Sequence, residues 1–356
     1  MKALLIFLAR RLAAIPVTLL IITALLYGIV MLAPADERAM LYFPPNGPPP
    51  FVMTPEKLQN TIDKIIAEHG LNDPYPQQYL RWVGGLLRGD WGWSPVLGGN
   101  VLQALLRRTP VTAELALYSV LFLIPLGLAS GVTAGWREGR PVDDRFRLAA
   151  FVATSIPPFI LGLVLLSLFY VGVRWFPPGR TGLYELSLRS SDFEPYTGLL
   201  TVDGLLNARP DATLDALRHL FLPVLTLSLA HWATLGRVTR AAMIDVKNRE
   251  YIVAARSRGL RPRSVVWRHA FRNAISPALT SSILSAASLV TGVFIIEAVF
   301  DFKGLSELIV GGMTGTPDAP LALGFAVYSV LLVLPLMLVL DVIRAWADPR
   351  SQESAI

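Results

Sequence analysis

The sequence predicts an all-α integral membrane protein that crosses the bilayer six times. Composition is the first ground. Of 356 residues, 53% are hydrophobic and 16% charged, against about 25% charged in a soluble domain; the mean hydropathy is +0.51. Patterning is the second. Six stretches lack Asp, Glu, Lys and Arg: residues 12–35, 115–136, 148–173, 219–236, 274–296 and 319–340. A spanning helix needs about 20 apolar residues, because each rises ~1.5 Å through a ~30 Å hydrocarbon core. None of the six shows the period-two alternation of a membrane strand, so helices are expected throughout. The run 219–236 sits at the lower limit of length.

The first run follows Lys2, Arg10 and Arg11 and ends near Ala33-Pro34-Ala35, which invites a reading as a cleaved signal. Its apolar part exceeds the roughly 7–15 residues of a signal core, so a retained helix is expected. Six spans put both termini on one side. With that side cytoplasmic, segments 1–11, 137–147, 237–273 and 341–356 carry 19 of the 32 Lys and Arg, and the outer segments 13. Short basic loops stay inside. The net charge of +6 is thereby accounted for without nucleic acid.

The segment 249–273 holds seven of those arginines. As a pure topology signal it has more order than it needs. Tyr251, Ala254 and Ala255 fall at i, i+3 and i+4, one face of a helix. Gly259 stands where a helix end favours a left-handed residue, and Pro262 suits the first turn of the next helix. Val266, Trp267, Ala270 and Phe271 then form an apolar stripe, with Arg268 and Arg272 off it. The expectation is helix, glycine turn, short amphipathic helix, an element that lies on a membrane or enters a partner's groove.

Chemistry of its own is not expected. None of the five lysines follows a glycine, so the phosphate-binding Gly-Lys-Ser/Thr is missing, and neither Gly-x-Ser-x-Gly nor His-Glu-x-x-His occurs. The absence of cysteine excludes disulfides and thiolate sites. His231 lies within the fourth run, where a proton relay is weighed against, and ranked below, a packing role bonded to neighbouring backbone. Thr109 and Pro110 are read as a helix start that places Glu114 one turn in. Glu114 and Glu297, near span ends, are given structural roles ahead of contact with a cationic substrate. In 36–109, Thr54, Pro55 and Glu56 mark a helix start and Gly70 its stop. With Trp82, Trp91 and Trp93 this reads as a small external cap, either a docking surface or a lid.

Ala254 and Ala255 followed by Gly259 resemble the EAA loop of ABC-importer permeases. The text of 251–260 and 267–274 resembles that of the dipeptide/oligopeptide/nickel branch. Arg10-Arg11-Leu12 and Leu32-Ala33-Pro34 are similar to the start of that branch. Leu71-Asn72-Asp73-Pro74, Gln78-Tyr79-Leu80-Arg81-Trp82 and Gly89-Asp90-Trp91-Gly92 resemble its first external region. Ser155-Ile156-Pro157 with Phe159 resembles its third span. Glu297, Phe300 and Gly304-Leu305 resemble its last external loop, and Asp348-Pro349-Arg350 its tail. Departures are Val253 at the glutamate position of the motif, with His269 and Arg272 where some permeases carry an apolar residue and a proline. The proline-rich 41–50 and the loop 174–218 match least.

The resemblance implies a type I ABC importer permease fold: an N-terminal span (1–35), an external cap region (36–109), the transmembrane domain (110–342) and a cytoplasmic tail (343–356). It implies a permease subunit of an ATP-driven importer of peptides or similar small solutes in a bacterial or archaeal inner membrane. It further implies a second permease subunit, two cytoplasmic ATPases and an external binding protein as partners. ATP and magnesium are expected on the ATPases and no cofactor or metal in this chain. Ala254, Ala255, Gly259, Arg263, Val266, Trp267, Ala270 and Phe271 become the expected ATPase-coupling residues. An ion-coupled carrier or channel is the rival expectation; it lacks acidic residues at the centres of spans two to six and any visible inverted repeat.

Overall fold

The computed structural model describes residues 2–43, 52–94, 96–182, 193–313 and 318–347. Most of the proline-rich 41–50, part of the 174–218 loop and Asp348-Pro349-Arg350 lie outside the described residues. Eleven α-helices of eight or more residues are described. They are α1 (Lys2–Val30), α2 (Pro55–His69), α3 (Tyr75–Leu87), α4 (Val101–Trp136), α5 (Pro141–Ser155), α6 (Pro158–Leu166), α7 (Pro210–Lys247), α8 (Glu250–Ser257), α9 (Phe271–Val299), α10 (Leu305–Met313) and α11 (Ala319–Ala347). A two-residue hairpin, β1 (Trp93–Ser94) and β2 (Gly99–Asn100), is the one sheet among the described residues.

By length and apolarity α1, α4, α7 and α11 can each cross a membrane, and two bent pairs bring the number to at most six. The run 148–173 departs most from its expectation. It is two helices, Pro141–Ser155 and Pro158–Gly172, set at 98° to one another. The cause is local. Pro157 and Pro158 supply no N–H, and a residue before proline avoids the helical region; Ile156 accordingly sits at φ −104°, ψ 123°. The short run 219–236 lies inside α7, 38 residues long. The helix extends past the run because Asp211, Asp215, Arg237, Arg240 and Lys247 sit at its ends, where charge is tolerated.

The chain forms two compact units. One comprises Leu8–Thr109 and Leu305–Pro335. In it α2 runs as expected from Pro55 to Gly70, whose φ of 58° ends the helix, though Thr54 makes no side-chain cap bond. Trp82 stacks on Tyr27 with ring centroids 5.0 Å apart, and Tyr75 donates to the Ala24 carbonyl at 2.6 Å, which fixes α3 against α1. Arg38 donates to Gln78 Oε1 at 2.7 Å and the Leu71 carbonyl at 2.9 Å. Asp318 is buried and accepts from Ser94 and from the Leu321 N–H. The helix holding Thr109 and Pro110 begins earlier than expected, at Val101, where Asn100 Oδ1 accepts the Leu102 N–H at 2.9 Å.

The other unit is built on Pro110–Gly304, with α7 at its centre packed on α5, α6 and α9. Its core includes Leu115, Leu123, Leu222, Leu227, Leu235, Leu289, Ile296 and Phe300. α4 approaches α7 through Gly127, Gly131 and Gly135, four residues apart and so on one face. A methyl on Gly131 would lie 2.6 Å from the Gly236 carbonyl, and one on Gly135 2.6 Å from that of Arg240. Small residues at this spacing let helix backbones touch, a device suited to membranes, where burying oil against oil gives no driving force. Beside the seam, the buried Asp143 takes both a Nε and a Nη2 bond from Arg240. Glu114 lies well inside α4. It accepts Thr201 N and Oγ1 at 2.8 and 2.7 Å and Arg180 Nη2 at 2.8 Å. Glu297 is fully buried and accepts from Thr112 Oγ1. Both carboxylates thus tie segments of the fold together.

Two variants test this unit. Gly131→Val drives a side chain into helix backbone and should cost about 1–3 kcal/mol, read as a lower melting temperature of the purified chain in detergent. Gly172→Ala, whose methyl meets only the Ser167 carbonyl at 3.6 Å, should melt like the parent. Asp143→Ala leaves Arg240 without its carboxylate and should cost about 2–4 kcal/mol, since breaking a buried pair is more harmful than never having one. A parent-like melting temperature for Asp143→Ala would refute that reading.

Candidate functional site: the loop between α7 and α9

α7 ends at Lys247, and α8 begins one turn later. α8 closes as its sequence predicts. Gly259 has φ +72°; its N–H donates to the Arg256 carbonyl at 2.9 Å, and the Leu260 N–H reaches that of Ala255 at 3.4 Å. These two bonds are the reciprocal pair that terminates helices at a left-handed glycine. A methyl at Gly259 would meet nothing within 4 Å. Backbone conformation alone, and not space, therefore demands glycine.

The buried face of α8 differs from the expected one. Ile252 and Ala255 are inside, packed with Val132 and Met243, while Tyr251, Val253 and Ala254 are exposed. The stripe Tyr251, Ala254, Ala255 is thus split: Ala255 faces the protein and the other two face out. Sequence offers a signal for this in Ile252, the most apolar residue of that helix, at i−3 from Ala255.

The second element is also corrected. The expectation was a short separate helix. Instead a helical turn Pro262–Ser264 passes into a π turn, Val265–Ala270, and directly into α9. The Phe271 N–H donates five residues back, to the Val266 carbonyl. This wider spacing moves the apolar register. Val265 and Ala270, five apart, are the buried pair, with Val266 and Phe271 packed beside them. Trp267 is 40% exposed and meets Phe271 edge-on at 5.5 Å. Arg263 is exposed. From Pro262 the helix continues to Val299, bending by 49° between Leu289 and Gly292. π turns within helices are frequent at functional positions, and no residue pattern announces this one.

The eight expected coupling residues therefore divide. Ala255 and Ala270 are buried, and Val266 and Phe271 half-buried. They hold the loop to the unit. Ala254, Gly259, Arg263 and Trp267 are exposed and form its outer surface with Tyr251, Val253 and Leu260, large apolar groups left uncovered by this chain.

A second feature lies between α7 and α9. A groove of about 590 Å³ is lined by His231, Thr234, Thr280, Ser281, Ser285 and Ser288, among others. Ser281, Ser285 and Ser288 follow at four and three residues, one hydroxyl stripe along α9. His231 makes no hydrogen bond to the described residues and faces this groove, which departs from the backbone-bonded packing role expected of it. His219, also on α7, is buried and bonds the Gly179 carbonyl at 3.0 Å.

Comparison with known proteins shows the family of the chain. Residues 124–353 match the family described as binding-protein-dependent transport system inner membrane component. The di/tripeptide transport system permease protein DppB of Pseudomonas aeruginosa is 33% identical over 347 residues, 97% of this chain and 98% of that protein. The oligopeptide transport system permease protein AppB of Bacillus subtilis is 32% identical over 342 residues, covering 96% and 97%. The probable D,D-dipeptide transport system permease protein DdpB of Escherichia coli is 33% identical over 294 residues, covering 81% and 84%. With a family match over well more than half its length and near full-length relatives above 30% identity, the chain belongs to the binding-protein-dependent transport system inner membrane components.

Proposed function

We propose that this permease carries peptides or similar small solutes, and that the loop 249–273 couples it to a cytoplasmic ATPase. Membership of a binding-protein-dependent transport family implies ATPase and substrate-binding partners. It also displaces the rival reading as an ion-coupled carrier or channel. The finer arrangement we propose is two permease subunits, two ATPases and an external binding protein, with both termini of this chain cytoplasmic. ATP and magnesium then belong to the ATPases, and this chain holds no cofactor. Peptides are proposed because the relatives are named as di/tripeptide, oligopeptide and D,D-dipeptide permeases. The external cap, 36–109, is proposed as the place of contact with the binding protein.

One observation carries the coupling reading: the helix from Pro262 continues through the π turn to Leu289, past the serine stripe of α9. A push on the exposed loop surface is then a push on α9, which bears the hydroxyl-lined groove. Side-chain hydroxyls both donate and accept, which suits the N–H and C=O groups of a peptide without demanding one sequence. The uncovered Tyr251, Val253, Leu260 and Trp267 supply the apolar surface a docked partner would bury.

Gly259→Val should strain a left-handed residue by about 1–2 kcal/mol, too little to unfold the unit but enough to tilt the docking surface. Gly259→Val and Trp267→Ala should insert normally yet lose most ATPase co-purification or substrate-stimulated ATP hydrolysis in the assembled importer. Arg263→Gln should do much less, since exposed ion pairs contribute about 0–1 kcal/mol. Normal uptake and ATPase binding in both of the first two variants would defeat the coupling reading. Orientation has its own test, which the lack of native cysteine makes clean. In intact cells an impermeant thiol reagent should label Glu68→Cys and spare Arg258→Cys; the reverse labelling would invert the topology.

A further inference from the structure

A cavity of about 790 Å³ opens where α4 ends, against the turn that precedes α9. Its charged wall consists of Arg137, Arg140, Lys247, Arg256 and Arg263, with Glu138 its single carboxylate. Glu138 is already engaged by Lys247 at 3.0 Å. The Arg256 guanidinium stands 4.6 Å over the ring of Trp136. Arg137, Arg140 and Arg263 make no ion pair among the described residues. Four guanidinium groups thus share one concavity with no carboxylate left to balance them. Like charges gathered so closely repel, and a concave site concentrates their field on any anion that enters.

The rest of the wall says where that anion comes from. Thr133 and Trp136 are on the last turn of the apolar run of α4, where the helix leaves the hydrocarbon. Trp267 is also part of the lining. Tryptophans at this depth mark the membrane interface. Arginine forks match phosphate oxygens in pairs, and basic pockets between membrane helices at the interface take up acidic headgroups.

We propose that this cavity binds the phosphate of an anionic phospholipid. The acyl chains would lie along the exposed apolar surface of α4 and the headgroup among the four arginines, with Trp136 and Trp267 flanking the glycerol level. The coupling loop itself forms one part of the wall, through Arg256, Leu260, Arg263 and Trp267, so the test is placed on Arg137 and Arg140 of the other part. Arg137 and Arg140 are outside the residues assigned to ATPase contact, so lipid binding and ATPase binding can fail separately.

The test uses the purified full-length chain in mild detergent, with added phosphatidylglycerol, phosphatidylcholine or inorganic phosphate, read by native mass spectrometry. Phosphatidylglycerol should be retained and phosphatidylcholine largely lost. Arg137→Gln/Arg140→Gln should weaken phosphatidylglycerol retention on the order of tenfold, as expected for removing two interfacial cations. Arg137→Lys/Arg140→Lys, which keeps the charge but not the paired forks, should restore part of it, so that lost binding is not mistaken for lost folding. Arg258→Gln, an exposed cation outside the cavity, should have no effect. Equal retention of the two lipids, an unaffected double glutamine variant, or failure of the lysine variant to restore retention would overturn the proposal. Displacement of the lipid by millimolar inorganic phosphate that itself stays bound would overturn the lipid as source and assign the cavity to soluble phosphate. Unchanged lipid retention with lost ATPase co-purification in the double glutamine variant would likewise overturn it, in favour of carboxylates from the ATPase.

Discussion

Backbone contact between α4 and α7 is the constraint on which the unit 110–304 depends. Three glycines four residues apart bring α4 within methyl distance of the carbonyls of Gly236 and Arg240. Everything that surrounds α7 inherits its position from that contact. Leu235 meets Gly127, Phe146 of α5 packs against Gly236, and Arg240 reaches the buried Asp143. In a bilayer, apolar side chains gain little by leaving lipid for protein, so close dispersion contact and satisfied polar groups must replace the hydrophobic effect. The seam supplies the first, and Asp143, Glu114 and Glu297 supply the second.

The same seam sets the position of the loop. α7 hands the chain to α8, and Ile252 returns to pack with Val132 of α4 and Met243 of α7. Val265 and Ala270 join that cluster from the other side of the glycine turn. The loop is thus anchored through Ile252, Ala255, Val265 and Ala270, while its outer surface carries Tyr251, Val253, Leu260 and Trp267, each only partly covered by the chain. From Pro262 to Leu289 the helix runs without a break, so the loop and the serine stripe of α9 belong to one element.

Buried carboxylates here act as fasteners. Glu114 gathers Arg180 and Thr201 from a connection distant in sequence, each through a charge-assisted bond. Such bonds are roughly twice as strong as neutral ones, and inside a membrane protein they are insulated from competing water. These bonds tie Arg180 and Thr201, both in described parts of that connection, to α4.

Much of this was legible in the sequence. The helical class and the apolar runs followed from composition and length, because a bilayer leaves the backbone no other way to satisfy its hydrogen bonds. The stop at Gly70 and the turn at Gly259 followed from local sterics, since a left-handed residue depends on its own side chain. The family followed from short motifs in order. Other features depended on partners far along the chain. The break at Ile156 was written in Pro157 and Pro158, but the apolar run through them hid its 98° bend. The glycine seam has a legible period, yet which helix it meets is decided in three dimensions. Burial of Ile252 and Val265 in place of Tyr251 and Val266 depends on the facing cluster and on a π turn that shifts the register by one residue. Glu114 looked like a residue near a helix start and proved to be an anchor, because the helix began at Val101 and the groups it binds, Arg180 and Thr201, are more than sixty residues away. Local sequence determined which elements form and where they stop. Tertiary contact decided which faces they bury, because burial depends on the neighbour as much as on the residue.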